Sequence, residues 1–469
     1  SRTIGWFTTI YPHLLRIDSN DALENLVNIK ESLRKIPNKG IGYGILKYLT
    51  KIPLKEIKPS VVFNYLGDFG NNVGDLENPV FDYSSEDIGL PSDIENRDPN
   101  VLDISGLLVL DKLNISIRYS KSLYDDELMK ELINSYKMCL TDIITELAGI
   151  KEKIMTPSDL TFKDLTIHEV SILNSDRRVE DIYKLSPLQQ GIYYHWLSSS
   201  SPTMYFEQIS YRLKGKGIQI NLIEETFQHL INRHAILRTS FTNDYAGIPL
   251  QIVRKKVDAN FKYLALSETI MNSDINSYVH DFKKVDREKG FDLNTGSQMR
   301  LTVLELGDDE FEFIWSHHHI LMDGWCVSIL INEFYELLNS HEPKLPVSNS
   351  LQYSNYIKWL EQFDEKFSKN YWKNYLLGYS DVAKIPFKNE KLKSQIYIPC
   401  KESIRIETDQ FESITELCSN IGITQNIFIQ GVWGYLLSNY NNTQDVVFGS
   451  VVSGRPPHLF DIENMIGLF

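Results

Sequence analysis

Residues 311–330, FEFIWSHHHILMDGWCVSIL, change hydrophobic period within one short turn. Phe311, Phe313 and Trp315 recur every second residue, the period of a strand. Val327, Leu330, Ile331, Phe334 and Leu338 then recur at the spacing of one helix face. Between the two lie three consecutive histidines and the pair Asp323-Gly324. Strand, tight loop and helix in that order point to an α/β fold, with a loop able to hold an imidazole at the mouth of a cleft.

Three chemistries are open to these histidines. Zinc sites want ligands converging tetrahedrally, but no Cys/His cluster lies nearby, and adjacent strand residues point to opposite faces. His317 and His319 then share one side, and His318 does not. A structural reading makes the histidines polar strand-end residues, with Asp323 as helix N-cap and Gly324 serving the turn. The third reading gives one imidazole a proton to handle, which an unperturbed pKa of about 6.5 suits at neutral pH. The residues alone leave these readings open.

The rest of the chain narrows the setting. At 469 residues it is long enough for two or three domains, and 42% hydrophobic residues supply real cores. A net charge of −14 suits nucleic acid poorly, because that binding rests on Lys and Arg neutralising phosphates. No apolar stretch approaches bilayer length, and SRTIGWFTTIYP lacks the charged start and apolar core of a signal peptide. Cys139, Cys326, Cys400 and Cys418 lie far apart with no CxxC spacing, so no metal site is expected and a reducing cytoplasm fits best.

Residues 1–148 read as mixed α/β. PSVVFNYLGDFG (59–70) predicts a buried strand interrupted by Asn64, and GLLVLDKLNISIRYSK (106–121) predicts two strands around Asp111-Lys112. Helical spacing with leading acids runs through 125–150. Residues 149–183 are polar, irregular and proline-containing, and read as an interdomain linker. A second unit opens with KLSPLQQGIYYHWLSS, where Ser186 and Pro187 signal a helix start and Leu188, Ile192, Tyr193 and Trp196 share a face. In NLIEETFQHLINRHAILRTSF, Asn221 and Glu224 read as a capping box, and the helix gives way near His234 to a strand.

SHHHILMDGW contains His-His-x-x-x-Asp-Gly and resembles the core motif of condensation domains of nonribosomal peptide synthetases; related acyltransferases share His-x-x-x-Asp-Gly. Its companions occur in order. LSPLQQGIYYHWL (185–197) is similar to the family's opening motif, and NRHAILRTSF (232–241) to its Arg-His-x-x-Leu-Arg-Thr segment. LQYSNYIKWLE (351–361), YWKNYLLG (371–378) and VVFGSVVSGRPPHLFDIENMIGLF (446–469) resemble the later signatures. SRTIGWFTTIYP, GIGYGILKYL and FNYLGDFG resemble the late motifs of an epimerization domain, and TPSDL (156–160) its usual exit. That family's own His-His-x-x-x-Asp-Gly and catalytic Glu lie upstream of those motifs and are not in this chain. IGWF at Ile4 returns as IGLF at Ile466, so the chain reads as a segment of a larger synthetase, running from one point in the first domain to the corresponding point in the next.

The resemblance implies an α/β fold of chloramphenicol-acetyltransferase-like lobes, two partial domains in tandem. The expected division is 1–150 for the epimerization tail, 151–182 for the linker and 183–469 for the condensation domain. It implies a tunnel entered from both faces by phosphopantetheine arms of upstream and downstream carrier domains, an adenylation domain in the same synthetase, and no directly bound cofactor. The implied reaction joins a peptidyl thioester ending in a D residue to an L-aminoacyl acceptor. His319 is the implied active residue, taking a proton from the amine or orienting it and stabilising the tetrahedral intermediate. His318 supports it. Asp323 shapes the loop through an ion pair with Arg238, Gly324 permits the turn and close approach, and Trp325 lines the tunnel or packs in the core. Asn64 and Tyr65 match the epimerization family's Asn-Tyr-Leu-Gly motif near that domain's site; the structural alternative is a buried Asn satisfied by backbone. Two rivals stand beside this: a catalytically silent docking module, and a stand-alone acyltransferase using coenzyme A thioesters.

Overall fold

The computed structural model describes residues 3–55, 57, 59–68, 86, 89, 101–109, 112–199, 201–245, 247–266, 274–339, 352–379, 383–385 and 400–469. Ser1, Arg2, Phe69, Gly70, Asp111 and Leu351, named in the motifs above, lie outside them. The chain divides into two compact units. The first comprises residues 1–184, 238–257 and 293–296, and the second residues 185–237, 258–292 and 297–469.

In the first unit, α1 (Ala22–Arg34) is capped by Asp21, whose side chain accepts the amide of Glu24. Then come α2 (Ile41–Leu49), β1 (Val61–Asp68), β2 (Leu102–Val109), β3 (Lys112–Tyr119) and α3 (Asp126–Leu147). β1 pairs parallel with β2, and β2 antiparallel with β3. The strand expected at 59–70 forms, but it is not buried: Phe63 is 61% and Tyr65 56% exposed. It pairs on one side only among the described residues.

The stretch read as a linker is built structure. Thr156 and Asp159 form a capping box around Pro157–Asp159, and Asp159 is gripped by Lys30 and by Arg34 at 2.7 Å. Those cations, with the Thr156 amide, hold the Asp159 carboxyl well below the usual range, although burial acts the other way. A second capping box, Thr166 with Glu169, opens α4 (Ile167–Leu173). β4 (Val179–Lys184) then pairs antiparallel with β7 (Leu250–Arg254), which pairs with β6 (Thr239–Thr242). Leu160, Phe162, Leu165, Val170, Leu173, Val179 and Ile182 bury against Leu250 and Ile252. The apolar residues were diluted by polar ones, so their helical and strand spacings were hidden.

In the second unit, α5 (Pro187–Ser198) starts where Ser186 and Pro187 predict. β5 (Phe206–Lys214) and α6 (Ile220–Arg233) follow. The capping box expected of Asn221 and Glu224 does not form: the N-cap is Gln219, without a side-chain bond, so Asn221 lies inside the first turn. After α6 a 3-10 turn, Ala235–Arg238, precedes β6, so the strand expected from Ala235 begins at Thr239. β8 (Phe261–Ala265), α7 (Ile275–Lys289), β9 (Met299–Gly307), β10 (Glu310–His318) and α8 (Gly324–Asn339) complete the site-bearing part. Beyond them lie α9 (Ser354–Leu360), α10 (Glu365–Tyr375), α11 (Thr408–Ile421) and α12 (Gln425–Asn441).

The sheet runs β5-β10-β9-β8, antiparallel except for β8 with β9. β10 is covered on both faces. Trp315 packs edge-on against Phe227 of α6 and Phe334 of α8, with centroids 5.6 and 4.9 Å apart. Ile314 packs with Val279 of α7, and Glu312, buried, bonds Lys283 of that helix at 2.7 Å and Arg212 at 3.1 Å. A strand between helices on both sides is buried on both faces, so both sets of alternate positions in β10 are buried, its polar residues Glu312, Ser316, His317 and His318 included.

Phe162→Ala is expected to remove about 3–5 kcal/mol, because a ring 4% exposed leaves a cavity. Limited proteolysis provides the check: residues 156–184 resist cleavage in the wild-type chain and become the first site cut in the variant.

Candidate active site

The three histidines occupy three environments. His317 pairs with Glu207 and Met299 within the sheet and is 3% exposed. His318 ends the strand, its amide bonded to the Gln298 carbonyl at 3.0 Å, and is 1% exposed. Burial pulls the pKa of His317 down to about 3 and that of His318 to about 4, with the neighbouring imidazoles adding to the effect. Both rings are therefore neutral at pH 7. His318 Nδ1 accepts the Ile320 amide at 3.2 Å, so its proton sits on Nε2, which has no partner among the described residues.

His319 leaves the strand and is half-buried. Its amide donates to the Tyr205 carbonyl at 2.8 Å, and its Nδ1 lies 2.9 Å from the Met322 carbonyl. A carbonyl only accepts, so Nδ1 carries the proton. Nε2, with no protein partner among the described residues, keeps its lone pair in the neutral ring. This is the arrangement of a base with one nitrogen anchored and the other offered.

Asp323 holds the loop. Its Oδ1 accepts the amides of Trp325 at 3.0 Å and Cys326 at 3.2 Å, and the Cys326 thiol at 3.3 Å, so it caps α8. Arg238, expected as its ion-pair partner, belongs to the first unit, and within the second unit the carboxylate has a cation of its own. Asp323 faces Arg455, 3.5 Å away, with the two side chains 19% and 11% exposed. Arg238, in the first unit, bonds Glu180 at 2.6 Å and the Arg254 carbonyl. The reason is local: Arg238 directly precedes β6, and Thr239 of that strand pairs with Val253, next to Arg254.

Arg455 is what the residue-by-residue reading missed. Its guanidinium donates to the carbonyls of Ile462 at 2.5 Å and Met465 at 2.8 Å, approaches Cys326 Sγ at 3.0 Å, and lies 4.0 Å over the Phe469 ring. Gly467 closes the joint: its carbonyl accepts the Asp323 amide at 3.1 Å and the Cys326 thiol at 3.2 Å. Burial and the Asp323 charge push that thiol up to about 12, so it stays protonated. A Cβ on Gly467 would run into the ring of Tyr353, which with Tyr356 encloses Phe469. The late motif is therefore a clasp under the histidine loop. Gln189 is a second missed partner, fully buried, bonding the Ile320 carbonyl at 3.0 Å while its side-chain oxygen accepts the Ser186 amide.

Behind the strand end, Ser316 donates to Asp286 at 2.6 Å. Asp286 pairs with buried Arg300 at 2.6 Å, whose guanidinium lies 4.2 Å over Phe291. Gly324 is exposed with a φ outside the left-handed region, and a Cβ there would meet nothing within 4 Å. The turn does not require it; its contribution is open space. Trp325 is 73% exposed and does not pack in the core. In the first unit Asn64 is exposed, which removes the buried-Asn reading, and Tyr65 lies against Gly106 where a Cβ would stand. A cavity of about 790 Å³ lies in that unit, beside Tyr11–Arg16 and away from Asn64 and Tyr65.

The condensation-domain family model matches residues 1–166 and 179–469. The chain belongs to the condensation-domain family. Across its whole length this condensation-domain chain is 33% identical to bacitracin synthase 1 of Bacillus licheniformis, of which it spans 9%. It is also 33% identical over its whole length to bacitracin synthase 3 of the same organism, of which it spans 7%. The condensation domain from the monacolin K polyketide synthase MokA superposes with a TM-score of 0.50 at 17% identity, covering 62% of this chain and 66% of that one, a likeness of fold.

Two outcomes test this geometry. The folded-state pKa of His318 lies below its ordinary 6.5, so the unfolded chain binds the extra proton between about pH 6.5 and 4. Stability is thus expected to fall as pH drops through that window, by about 3 kcal/mol from His318 alone, with His317 adding a comparable share. Denaturant midpoints against pH measure this, and His318→Asn, which keeps an acceptor for the Ile320 amide and does not titrate, flattens that part of the slope. Separately, Gly467→Ala is expected to lower the melting temperature of the second unit through about 1–3 kcal/mol of overpacking. Gly431→Ala in α12, where a Cβ meets nothing within 4 Å, does not lower it.

Proposed function

We propose that this chain forms peptide bonds as part of a nonribosomal peptide synthetase, with His319 as its catalytic residue. The observation that carries the reading is the His319 ring, tied to Met322 through Nδ1 and open at Nε2. The acceptor's amine attacks the donor's thioester carbonyl; the C–N bond forms, the C–S bond breaks, and the departing thiolate takes a proton. Nε2 accepts the ammonium proton of the tetrahedral intermediate or hydrogen-bonds the amine to orient it. Two first-turn amides of α8 are taken up by Asp323, so they do not serve the oxyanion; once Nε2 has taken the ammonium proton, the His319 imidazolium stabilises the intermediate's negative charge. Asp323 acts through the loop, Trp325 and the space at Gly324 border the substrate path, and His318 keeps the strand end dry and neutral. Arg238 takes a structural part within the first unit.

Both substrates arrive as thioesters on the phosphopantetheine arms of carrier domains, one upstream and one downstream, charged by an adenylation domain of the same cytoplasmic synthetase. Residues 1–150 are the tail of an epimerization domain of the same chloramphenicol-acetyltransferase-like superfamily, with Asn64 and Tyr65 from its site. They hold a single histidine, His13, and no His-His-x-x-x-Asp-Gly, so this stretch epimerizes nothing by itself. Domain order then gives the condensation site a donor ending in a D residue and an L acceptor.

The test is intact-product mass spectrometry on the parent polypeptide, given carrier-bound D-ending and L-ending donors and an L-aminoacyl acceptor. Elongation of the D-ending donor, about 10²–10⁴-fold slower in His319→Ala, is the expected result. No elongation by a folded wild type supports a docking role instead, and equal use of free coenzyme A thioesters supports a stand-alone acyltransferase.

A further inference from the structure

The backbone of His319 hangs from a residue that no motif singles out. Tyr205, whose carbonyl accepts the His319 amide at 2.8 Å, has a φ of 54°, in the left-handed region that a bulky side chain adopts only when its surroundings hold it there. Two contacts hold it. Its hydroxyl lies 2.6 Å from Nδ1 of His195, with the two rings edge to edge, centroids 6.0 Å apart and planes 9° from parallel. The same ring leans against His318, with centroids 6.2 Å apart and planes at 52°.

His195 sits in the last turn of α5, the helix whose first turn sends Gln189 to the Ile320 carbonyl. One helix therefore grips the histidine loop from both ends. Gln189 fixes the residue after His319, and His195, through Tyr205, fixes the amide of His319 itself. We infer that Tyr205 and His195 are a positioning pair for His319, setting the backbone from which its Nε2 is aimed; the role in the reaction rests on the condensation reading above. Neither touches the reacting atoms.

The variants that separate this role from mere folding are Tyr205→Phe, which keeps the ring and removes the hydroxyl, His195→Leu, and His195→Asn, whose amide places an acceptor where Nδ1 stood. Two readouts are taken. Hydrogen exchange at the His319 amide is followed in peptides spanning residues 316–322 of the 469-residue chain. Condensation kinetics are measured in the parent polypeptide. Tyr205→Phe and His195→Leu are each expected to speed that exchange and lower kcat by about tenfold, the scale of a sub-ångström misplacement of a reacting group. KM for both carrier-bound substrates stays within about twofold, as expected for a group acting in the transition state. The double variant is no worse than either single one, and His195→Asn recovers most of the loss. Unchanged exchange at His319 in both single variants overturns the pair, whether or not the wild type condenses. So does a wild type that elongates with Tyr205→Phe at the same kcat. A wild type that forms no peptide while the variants still loosen His319 removes the condensation reading and leaves the anchoring of His319 in place.

Discussion

The carboxylate of Asp323 is the point on which the site turns. It satisfies two amides at the start of α8 and the Cys326 thiol, and it meets the Arg455 guanidinium from the late motif. These partners are largely withdrawn from water, where charge-assisted hydrogen bonds are stronger than at the surface and an unpaired charge is costly. The consequence reaches the histidine through one peptide unit. With α8 started at Gly324, the Met322 carbonyl stands 2.9 Å from His319 Nδ1, and that bond selects the tautomer. The acidic residue thus acts on the imidazole through the backbone and not by touching it.

The sheet supplies the rest of the rigidity. β10 lies between α6 and α8 on one face and α7 on the other, so its end cannot shift without disturbing two packed layers. The same burial decides which histidine is available. His317 and His318 are too deep to hold a proton at neutral pH, whereas His319, one residue beyond the strand, is half-buried and keeps one nitrogen open. Three identical side chains thus come to differ by depth and by the Met322 carbonyl, two buried and neutral and one with a nitrogen open.

The strand–loop–helix at 311–339 was legible because its hydrophobic period changes where Asp323 and Gly324 stand, and the Ser186-Pro187 start announced α5 directly. Partnerships across long stretches of chain were not. Arg455 reaches Asp323 over 132 residues and Gln189 reaches Ile320 over 131, and no local pattern encodes such a meeting. The Arg238–Glu180 pair was hidden for the same reason: Arg238 is placed by the register of β6 on β7, which periodicity does not state. The supposed linker hid its core because capping boxes at Thr156 and Thr166 were polar signals in a polar stretch. Of the three glycines in the late motif, Gly454 and Gly467 stand where a Cβ would strike the Phe469 backbone and the Tyr353 ring, a demand that only the folded chain states.

The central claim is that His319 is held with its proton on Nδ1 and its lone pair on Nε2. Nitrogen NMR of the chain with labelled histidine side chains, assigned by loss of one ring in His319→Gln, reads that directly. In its neutral form, the His319 ring is predicted to show a protonated, pyrrole-like Nδ1 and an unprotonated, pyridine-like Nε2. The reverse pattern, or rapid averaging between the two tautomers, would contradict the account, because Nε2 would then not be held as the open acceptor of the ring.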